Sequence, residues 1–447
     1  MMMKDRKSIR TRRPEIPARR NVTDAGGGKN IIAALDVGSS KVCCFIAEVK
    51  SHGTIDVIGI GHQASRGVKS GAIIDLRAAE TAVAHAVESA ETMAVDHLQN
   101  QPIRSVLINI PGTHAAAHQL SVDVRIAGHE VSSRDVRGAL AHSRSVVAHG
   151  KDELVHIIPA GYTLDKTRGI RDPCGMIGQN LGVNITAVTC LSSPLRHLSA
   201  IAGQNHLELD GFCSAPYASG LASLSADEMQ LGCTVIDMGG GTTSIAVFFE
   251  GKLVYTAAVP VGGMHVTNDI ARGLTTSIAD AERIKTLYGS ARATGTDDLA
   301  SVDVPPVGEE EHSQPNYVPR SFLAGIIQPR IEETFELVQA KLVDSGIGRI
   351  AGRRAVLTGG ASQLQGLCEI GQVLLNKQIR LGRPQRVKGL AEATGGPAFS
   401  TAAGLLIYAA EHADEIPAAH SGHAFSLPAT FNSPALQKMA HWLKENW

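Results

Sequence analysis

Several features that mark familiar classes of protein are missing from this sequence. Aromatic residues make up only 4% of the 447 residues, and the formal net charge is −1, so the overall charge does not favour nucleic acid as a partner. The longest wholly apolar runs, such as 402–410, fall far short of the roughly 20 residues that a membrane-spanning helix needs. Residues 1–29 are rich in Arg and Lys but hold no apolar segment, so we predict a disordered basic arm and not a secretory signal.

Cysteine spacing gives no sign of a zinc site or a disulfide framework. The seven cysteines stand at positions 43, 44, 174, 190, 213, 233 and 368, and no two of them have CxxC spacing. A reducing cytoplasm is therefore the expected environment. The length allows two or more domains, and 43% hydrophobic residues with 46 glycines fit a soluble α/β protein.

The main organisational feature is a duplicated strand–turn–strand unit. Residues 31–49 predict two strands around a polar, glycine-containing turn, and the pattern returns at 234–250. In each copy an aspartate, Asp36 or Asp237, stands at or near the end of the first strand, just before the glycines. Two related units about 200 residues apart predict two similar lobes that face one cleft.

Periodicity and turn residues assign the remaining segments. Predicted strands are 31–37, 42–49, 103–110, 154–158 and 355–360, predicted helices are 134–147, 265–288 and 322–345, and a loop is expected at 291–316. We divide the chain into a basic arm (1–29), a first lobe (30–100), an inserted subdomain (101–180), the core of a second lobe (181–265), a small subdomain of that lobe (266–345), a segment that completes the second lobe and returns to the first (346–410), a linker (411–432) and an amphipathic helix (433–447).

Both duplicated turns have the chemistry that phosphate groups need. Phosphate is bound by backbone N–H groups at close range, and glycine allows that approach because it has no Cβ. The first turn consists of Gly38, Ser39, Ser40 and Lys41, and the second of Gly239, Gly240, Gly241, Thr242 and Thr243. The Lys41 ammonium would offset phosphate charge, and Asp36 and Asp237 would hold magnesium through its water shell.

Each of these features alone has a simpler interpretation. The glycines of the second turn would also suit an ordinary hairpin, and Asp36 alone would suit a turn-capping residue. The matched pair of units is what favours phosphate binding. Two other phosphate motifs fail: the P-loop-like residues 28–30 lack the first glycine and the final Ser or Thr, and the dinucleotide pattern begun at 239 has Ser244 in place of its third glycine.

A third glycine turn and a helical pair add candidate residues. The third turn, Thr358, Gly359, Gly360 and Ala361, would suit close packing against a base or ribose, although a plain strand-to-helix turn is the alternative. Glu282 and Lys285 lie three residues apart on one helical face. They would hold ribose and adenine edges, or form only a surface ion pair.

Taken together, these units resemble the nucleotide site of the actin, Hsp70 and sugar-kinase superfamily. The matching motifs are LDVGSSK (35–41), VIDMGGGTT (235–243), VGG (261–263), AERIKTLYG (281–289) and VLTGGASQLQGL (356–367). The resemblance implies an actin-like duplicated ATPase fold with ATP and magnesium as cofactors. It also adds Gly262 and Gly263 to the candidate site.

Within that superfamily the sequence resembles the FtsA family of bacterial cell-division proteins. Three stretches carry this narrower resemblance, at 156–181, 216–232 and 389–409. It implies a protein that polymerises on the cytoplasmic face of the inner membrane at the division site, anchors the FtsZ ring and recruits later division proteins. It also implies at most weak ATPase activity, and no general base is assigned.

The resemblance also suggests where the FtsZ tail docks. It places that tail on the small subdomain, between about 270 and 345. Arg320 and Arg330 are candidate contacts there because an acidic tail favours arginine, although both would also be ordinary surface residues.

The C-terminal residues predict an amphipathic helix. Ser433 can cap it and Pro434 suits its first turn. The residues that would face a membrane are Leu436, Met439, Ala440, Leu443 and Trp447, with Trp442 at the boundary. A helix docked on the protein's own core is the alternative, but the polar linker before it argues for separation. With the family resemblance, we predict binding to anionic membrane lipid.

Two other functions use the same fold. A small-molecule kinase would need an acceptor-binding aspartate and no membrane helix, and no such aspartate stands out. A chaperone-like ATPase would need a substrate domain after residue 410, and only 37 residues of this sequence follow that position.

Overall fold

The computed structural model describes residues 30–147, 152–295, 297–307, 316–412 and 415. The strands in chain order are β1 (Ile31–Val37), β2 (Lys41–Val49), β3 (Ile55–Ala64), β4 (Val68–Lys69), β5 (Ala72–Ile73), β6 (Ser105–Ile110), β7 (Ala115–Arg125), β8 (Glu153–Leu164), β9 (Thr167–Ile170), β10 (Asn180–Cys190), β11 (Glu208–Ser214), β12 (Cys233–Met238), β13 (Thr243–Phe249), β14 (Lys252–Val259), β15 (Ser301–Val304), β16 (Asn316–Pro319), β17 (Arg354–Thr358), β18 (Gln378–Leu381) and β19 (Val387–Lys388).

The helices are α1 (Leu76–Met93), α2 (Val95–Leu98), α3 (Ser133–Val147), α4 (Ser192–Gln204), α5 (Ala215–Ser223), α6 (Ala226–Leu231), α7 (Gly263–Leu274), α8 (Ile278–Tyr288), α9 (Arg320–Asp344), α10 (Leu367–Leu375) and α11 (Ser400–Glu411). Single 3-10 turns lie at Gly112–His114, Gly360–Gln363 and Pro397–Phe399.

Two sheets repeat one topology, which confirms the predicted duplication. In the first sheet β1, β2 and β3 form an antiparallel meander, and β6 and β11 run parallel beyond β1. In the second, β12, β13 and β14 form the meander, and β17 and β18 run parallel beyond β12. The first sheet also carries the short strand β19 at its far edge.

The central strands are apolar along most of their length, and helices on both faces of each sheet bury their side chains. On the first sheet α1 packs against β2 and β3, and α11 packs against β1 and β2. On the second, α5 and α6 pack against β13 from one side and α9 from the other. Helix α8 starts with a side-chain cap: the Ser277 hydroxyl accepts a hydrogen bond from the Asp280 N–H.

A separate four-stranded sheet has the order β7-β10-β8-β9, and α3 packs on it. It begins at Ala115 and ends at Cys190. The predicted interval 101–180 differs at both ends, since β6 pairs with β1 and β10 runs past residue 180. Strand β11, inside the predicted interval 181–265, also belongs to the first sheet. The chain therefore leaves the first lobe after β6 and returns to it at β11. The domain division itself stays a prediction.

A buried polar joint ties the inserted sheet to the first lobe. His156 on β8 accepts a hydrogen bond at Nε2 from the Ser214 N–H (2.9 Å), so its Nδ1 carries the proton and donates to the Tyr408 hydroxyl (2.8 Å). Burial, and after it His412, lowers the pKa of His156 to about 3. Beside it, the Tyr217 hydroxyl donates to Glu415 (3.1 Å). The joint therefore links β8, β11, α5 and α11 at one point.

The predicted loop at 291–316 is wrong in part. β15 lies inside it and pairs with β16 in an antiparallel hairpin. The alternation of Val302 and Val304, both buried, gives this short strand its inward face. The predicted arm 1–29 and helix 433–447 lie outside the described residues, as do residues 308–315 and nearly all of the linker 411–432.

Candidate functional site

The first and second turns close in the same way. The Gly38 N–H donates to the Lys41 carbonyl (3.0 Å), and the Gly239 N–H donates to the Thr242 carbonyl (2.9 Å). Each turn follows a buried strand whose second-to-last residue is one of the two predicted aspartates, and the register of the two hairpins is equivalent in the two lobes. The sequence prediction of two matched turns is therefore confirmed as geometry.

The two turns face each other across the lobes at very short range. A Cβ on Gly240 would lie 2.8 Å from the Ser40 Cβ, and one on Gly241 would lie 2.6 Å from the Ser39 Oγ. Any residue larger than glycine at these two positions would displace the opposite turn. Ser39 also accepts a hydrogen bond from the Gly71 N–H (3.0 Å), which fixes the first turn to the loop between β4 and β5.

Asp36 is buried at the base of this cleft. Its Oδ1 accepts a hydrogen bond from Asn109 Nδ2 (2.8 Å), and Asn109 accepts one from the Val37 N–H (2.7 Å). Burial raises the pKa of Asp36 to about 7; Lys41 opposes this shift and Asp237 adds to it. Burial therefore disfavours the charged form of this carboxyl group, and a cation or a hydrated metal beside it would favour that form.

Asp237 occupies the equivalent place in the second lobe. Its Oδ2 accepts hydrogen bonds from the hydroxyls of Ser219 and Thr401, the latter at 3.2 Å. Burial raises the pKa of Asp237, while the two hydroxyls and Lys41 lower it. Gly359 passes close by with φ +84°, and a Cβ there would lie 2.3 Å from Asp237 Oδ1.

Lys41 brings a buried positive charge to the same place. Its Nζ lies 3.2 Å from the centroid of the Phe399 ring, and no oxygen of the described residues accepts a hydrogen bond from it. Burial lowers the pKa of Lys41, and Cys43, Asp36 and Asp237 oppose that shift. An ammonium that has no oxygen acceptor among the described residues and lies in the field of two carboxylates is suited to an anionic ligand that supplies oxygen atoms.

Gly262 and Gly263 connect the second turn to helix α7. The Gly263 N–H donates to the Gly239 carbonyl (3.0 Å), and a Cβ on Gly262 would lie 2.5 Å from that carbonyl oxygen. Helix α7 begins at Gly263, so the positive end of its dipole lies against the second turn.

The predicted pair Glu282 and Lys285 forms an ion pair (2.6 Å) next to this helix start. Lys285 Nζ also donates to Thr267 Oγ1 (2.7 Å) and to the Gly263 carbonyl (3.2 Å). The pair is therefore anchored on α7 and is more than an isolated surface ion pair. Its predicted contact with ribose and adenine stays a prediction.

The third turn meets the other two from the side of β17. The Ala361 Cβ lies 3.0 Å from the position of a Cβ on Gly263, and a Cβ on Gly360 would lie 3.7 Å from the Ala398 Cβ. The Thr358 hydroxyl points inward and donates to Ser400 Oγ (2.6 Å). The hydroxyl of Thr243 likewise donates to the Val261 carbonyl (2.8 Å). These two hydroxyls serve the fold, and a ligand contact at either residue stays a prediction.

The structure adds site residues that sequence reasoning missed, namely Asn109, Ser219, Phe399 and Thr401. Each of them contacts one of the three charged groups described above. Only Asn109 has a usable signal, because it interrupts the apolar strand β6 close to its carboxyl end, beside β1. Among the described residues no group of three or more His, Cys, Asp or Glu side chains could hold a metal ion.

Comparison with known proteins identifies the family. A cell division protein FtsA of Agrobacterium fabrum is 43% identical over 429 residues, which cover 94% of this chain and 95% of that protein. The chain belongs to the FtsA family. The FtsA of Escherichia coli K12 is 33% identical over 390 residues, covering 86% of this chain and 91% of that protein.

Two family models match separate parts of the chain. The model described as cell division protein FtsA matches residues 234–404, and the model described as an SHS2 domain inserted in FtsA matches residues 112–189. The second range coincides closely with the four-stranded sheet. The chain is thus a cell-division protein of the actin-like group.

A solved structure of a PilM–PilN type IV pilus biogenesis complex has the same fold. Its TM-score is 0.58 at 15% identity, and the match covers 85% of this chain and 98% of that chain. With the family membership, this likeness confirms the predicted actin-like duplicated fold with an inserted subdomain. The kinase and chaperone alternatives are set aside by the FtsA relationship.

Arg320 and Arg330, the predicted FtsZ contacts, are both engaged within the fold. Arg330 donates to both carboxylate oxygens of Asp269 (2.6 and 3.1 Å). Arg320 donates to the Tyr288 carbonyl (2.9 Å) and lies 3.8 Å from Asp297. No helix among the described residues is long and apolar enough to cross a membrane.

Proposed function

We propose that the cleft between the three turns binds ATP. The observation that carries this proposal is the close approach of the two glycine turns around one ammonium and two carboxylates. Their backbone N–H groups and Lys41 supply the donors that a triphosphate needs, and the α7 dipole adds positive potential beside the second turn. The third turn, with Glu282 and Lys285, would hold the adenosine.

Magnesium fits the acidic side of this cleft. Mg²⁺ keeps several of its waters and binds through one or two carboxylates together with substrate phosphates. Asp36 and Asp237 supply two carboxylates, and burial raises the pKa of both, so a cation between them would stabilise their charged forms. Bound there, Mg²⁺ would neutralise phosphate charge; the protein's own part is to hold the two carboxylates in place.

The ATP proposal is tested with Gly240→Asp. This substitution adds bulk and negative charge 2.8 Å from Ser40, so we expect it to abolish binding of a fluorescent ATP analogue. Gly348→Asp is the matched control, because no atom lies within 4 Å of a Cβ at that exposed position. Wild-type affinity in a folded Gly240→Asp protein would remove the phosphate assignment.

The proposed cellular role is to anchor the FtsZ ring to the membrane. Support comes from membership of the FtsA family and from the amphipathic pattern at 433–447 in the sequence. One short interfacial helix binds weakly, so stable residence would need many copies, and polymerisation supplies that avidity. The assembled protein would then sit on the cytoplasmic side of the inner membrane and recruit later division proteins.

The FtsZ tail would dock on the small subdomain near Arg320. Exposed apolar side chains flank this arginine, with Leu287, Tyr317 and Phe322 each more than half exposed. Arg320 donates to the Tyr288 carbonyl and to Gln365 Oε1 (2.9 Å each) and lies 3.8 Å from Asp297, whereas Arg330 holds the Asp269 carboxylate with two hydrogen bonds. An acidic tail would compete more easily with the neutral acceptors of Arg320 than with that carboxylate. We therefore expect Arg320 to be the more available contact.

This role is tested by sedimentation of FtsZ with liposomes. The full chain should carry FtsZ into the liposome pellet, and removal of residues 433–447 should leave both proteins in the supernatant. Arg320→Ala should keep the protein on liposomes but weaken FtsZ recruitment. Recruitment that survives removal of 433–447 would contradict the anchoring role.

A further inference from the structure

One short segment, residues 397–401, touches all three turns or their carboxylates. The Pro397 carbonyl accepts a hydrogen bond from the Gly359 N–H (3.1 Å), and the Thr401 hydroxyl donates to Asp237 (3.2 Å). Between them, the ring of Phe399 lies beneath the ammonium of Lys41. The segment joins the 3-10 turn Pro397–Phe399 to helix α11, and it therefore links the motifs of both lobes.

The Phe399 ring is itself held in a fixed orientation. It stacks on Phe45 with centroids 5.9 Å apart and an angle of 17° between the planes. The His62 ring meets it edge-on, with centroids 5.8 Å apart. Only 8% of Phe399 is exposed. A rigid, desolvated aromatic face is the setting in which a cation–π contact is strongest.

The contact decides where the Lys41 ammonium lies. A lysine side chain is long and flexible, and it normally keeps its head group in water or against an acceptor. No oxygen of the described residues accepts a hydrogen bond from Lys41, yet its Nζ is buried, 3.2 Å from the Phe399 centroid. The ring stabilises the ammonium at this point, beside the Cys43 thiol, and its N–H donors meet no oxygen acceptor among the described residues.

We propose that Phe399 is a positioning residue of the nucleotide site, which holds the Lys41 ammonium ready for a phosphate oxygen. The inference rests on the proposed ATP function and adds a role for an aromatic residue that does not itself contact the phosphates. Pre-placement of the ammonium would reduce the cost of ordering it when ATP binds.

A double-mutant cycle tests the proposal. Phe399→Leu removes the π face but keeps an apolar side chain, and Lys41→Met removes the ammonium. We expect Phe399→Leu to weaken binding of a fluorescent ATP analogue by about tenfold. In the Lys41→Met background the same change should have less than about a twofold effect, because Phe399 acts through Lys41. Phe399→Tyr should keep near-wild-type affinity, because a tyrosine ring also binds cations.

Phe45→Leu is the matched control. It removes the other ring of the stacked pair from the same buried cluster, but it keeps the Phe399 ring itself and its edge contact with His62. ATP affinity should therefore change little in Phe45→Leu. Circular dichroism checks the fold of each variant, and Phe399→Met replaces Phe399→Leu if that protein does not fold.

A pH profile gives a second readout that a packing role would not move. The groups that face Lys41 and Phe399 are Asp36 on β1, Cys43 on β2, His62 on β3 and Asp237 on β12. The ring favours the charged form of Lys41, so its loss should lower the pKa of Lys41 and make ATP binding fall at a lower alkaline pH. Measurements above pH 8 keep Asp36, with a pKa of about 7, ionised in both proteins.

The outcomes separate the inference from the proposed function. If wild-type protein binds no ATP, both fail. If Lys41→Met weakens binding but Phe399→Leu causes the same loss with and without Lys41, the ATP function stands and the positioning role fails. If Lys41→Met leaves affinity unchanged, or Phe45→Leu weakens binding as much as Phe399→Leu, the positioning role fails as well.

Discussion

Asp36 offers a test in which stability and ligand binding change in opposite directions. Its pKa is raised from 3.8 to about 7, first by burial and then by Asp237, with Lys41 opposing. Between these two pH values the folded, empty protein keeps the proton and the unfolded chain does not. The free energy of unfolding therefore falls as pH rises through this window, and the loss is complete above about pH 7.

The size of the effect follows from the width of the window. Each pH unit in which the folded state holds one extra proton changes the free energy of unfolding by about 1.4 kcal/mol. Asp36→Asn removes the titration but keeps an oxygen that can accept the hydrogen bond from Asn109. Its stability relative to wild type should therefore rise by about 3 kcal/mol between pH 5 and pH 8.

The assay is urea unfolding of both empty proteins at pH 5 and pH 8, followed by circular dichroism. Asp303→Asn is the control, since that aspartate is exposed on β15. MgATP should then stabilise wild type strongly and Asp36→Asn weakly, because the variant lacks one carboxylate near the metal's water shell. An equal stability difference at both pH values would refute the reasoning, and an equal gain from MgATP would refute the magnesium role.

Three further predictions concern other parts of the chain. Gly359→Ala should lower the free energy of unfolding by about 2 kcal/mol more than Gly346→Ala. Both glycines have positive φ, but only a Cβ at 359 would lie 2.3 Å from Asp237. Urea unfolding measures both losses, and equal losses would contradict the clash. His156→Phe should lower stability by about 2–4 kcal/mol, since two buried partners lose their hydrogen bonds. His156, with its pKa near 3, binds its proton less readily in the folded state, so its contribution to stability is lost as pH falls from 6.5 towards 3, and thermal unfolding of the variant should lack that part of the acid sensitivity. Leu443→Asp should release the protein from liposomes while ATP binding persists, since about 2 kcal/mol of apolar burial is lost; unchanged sedimentation with liposomes would remove the membrane role of the helix.

The duplicated turns were predictable from sequence because their signals are local. An aspartate at the end of an apolar strand, followed at once by glycine and hydroxyl residues, identifies each unit within ten residues or so. The parallel strands that complete each sheet have no such signal. β6 joins β1 across 73 residues of chain, as the Asp36–Asn109 hydrogen bond illustrates, and only the folded chain brings such residues together.

The supporting residues of the site could not be predicted for the same reason. Ser219 and Thr401 are single hydroxyl residues within helices, and nothing in their neighbourhood marks them as partners of Asp237. Phe399 reads as one more core aromatic. The hairpin of β15 and β16 was missed because its four-residue strands lie in a segment dominated by acidic, proline and glycine residues.

The joint around His156 has a mechanical consequence. Glu415, the last described residue, is held by the Tyr217 hydroxyl on α5 and by His412 just beyond α11. A mechanical force applied to the chain beyond Glu415 would therefore be transmitted to α5 and α11. These two helices also carry the hydroxyls that hold the carboxylate of Asp237. Tension applied beyond Glu415 would therefore act on the same two helices that hold the Asp237 carboxylate in place.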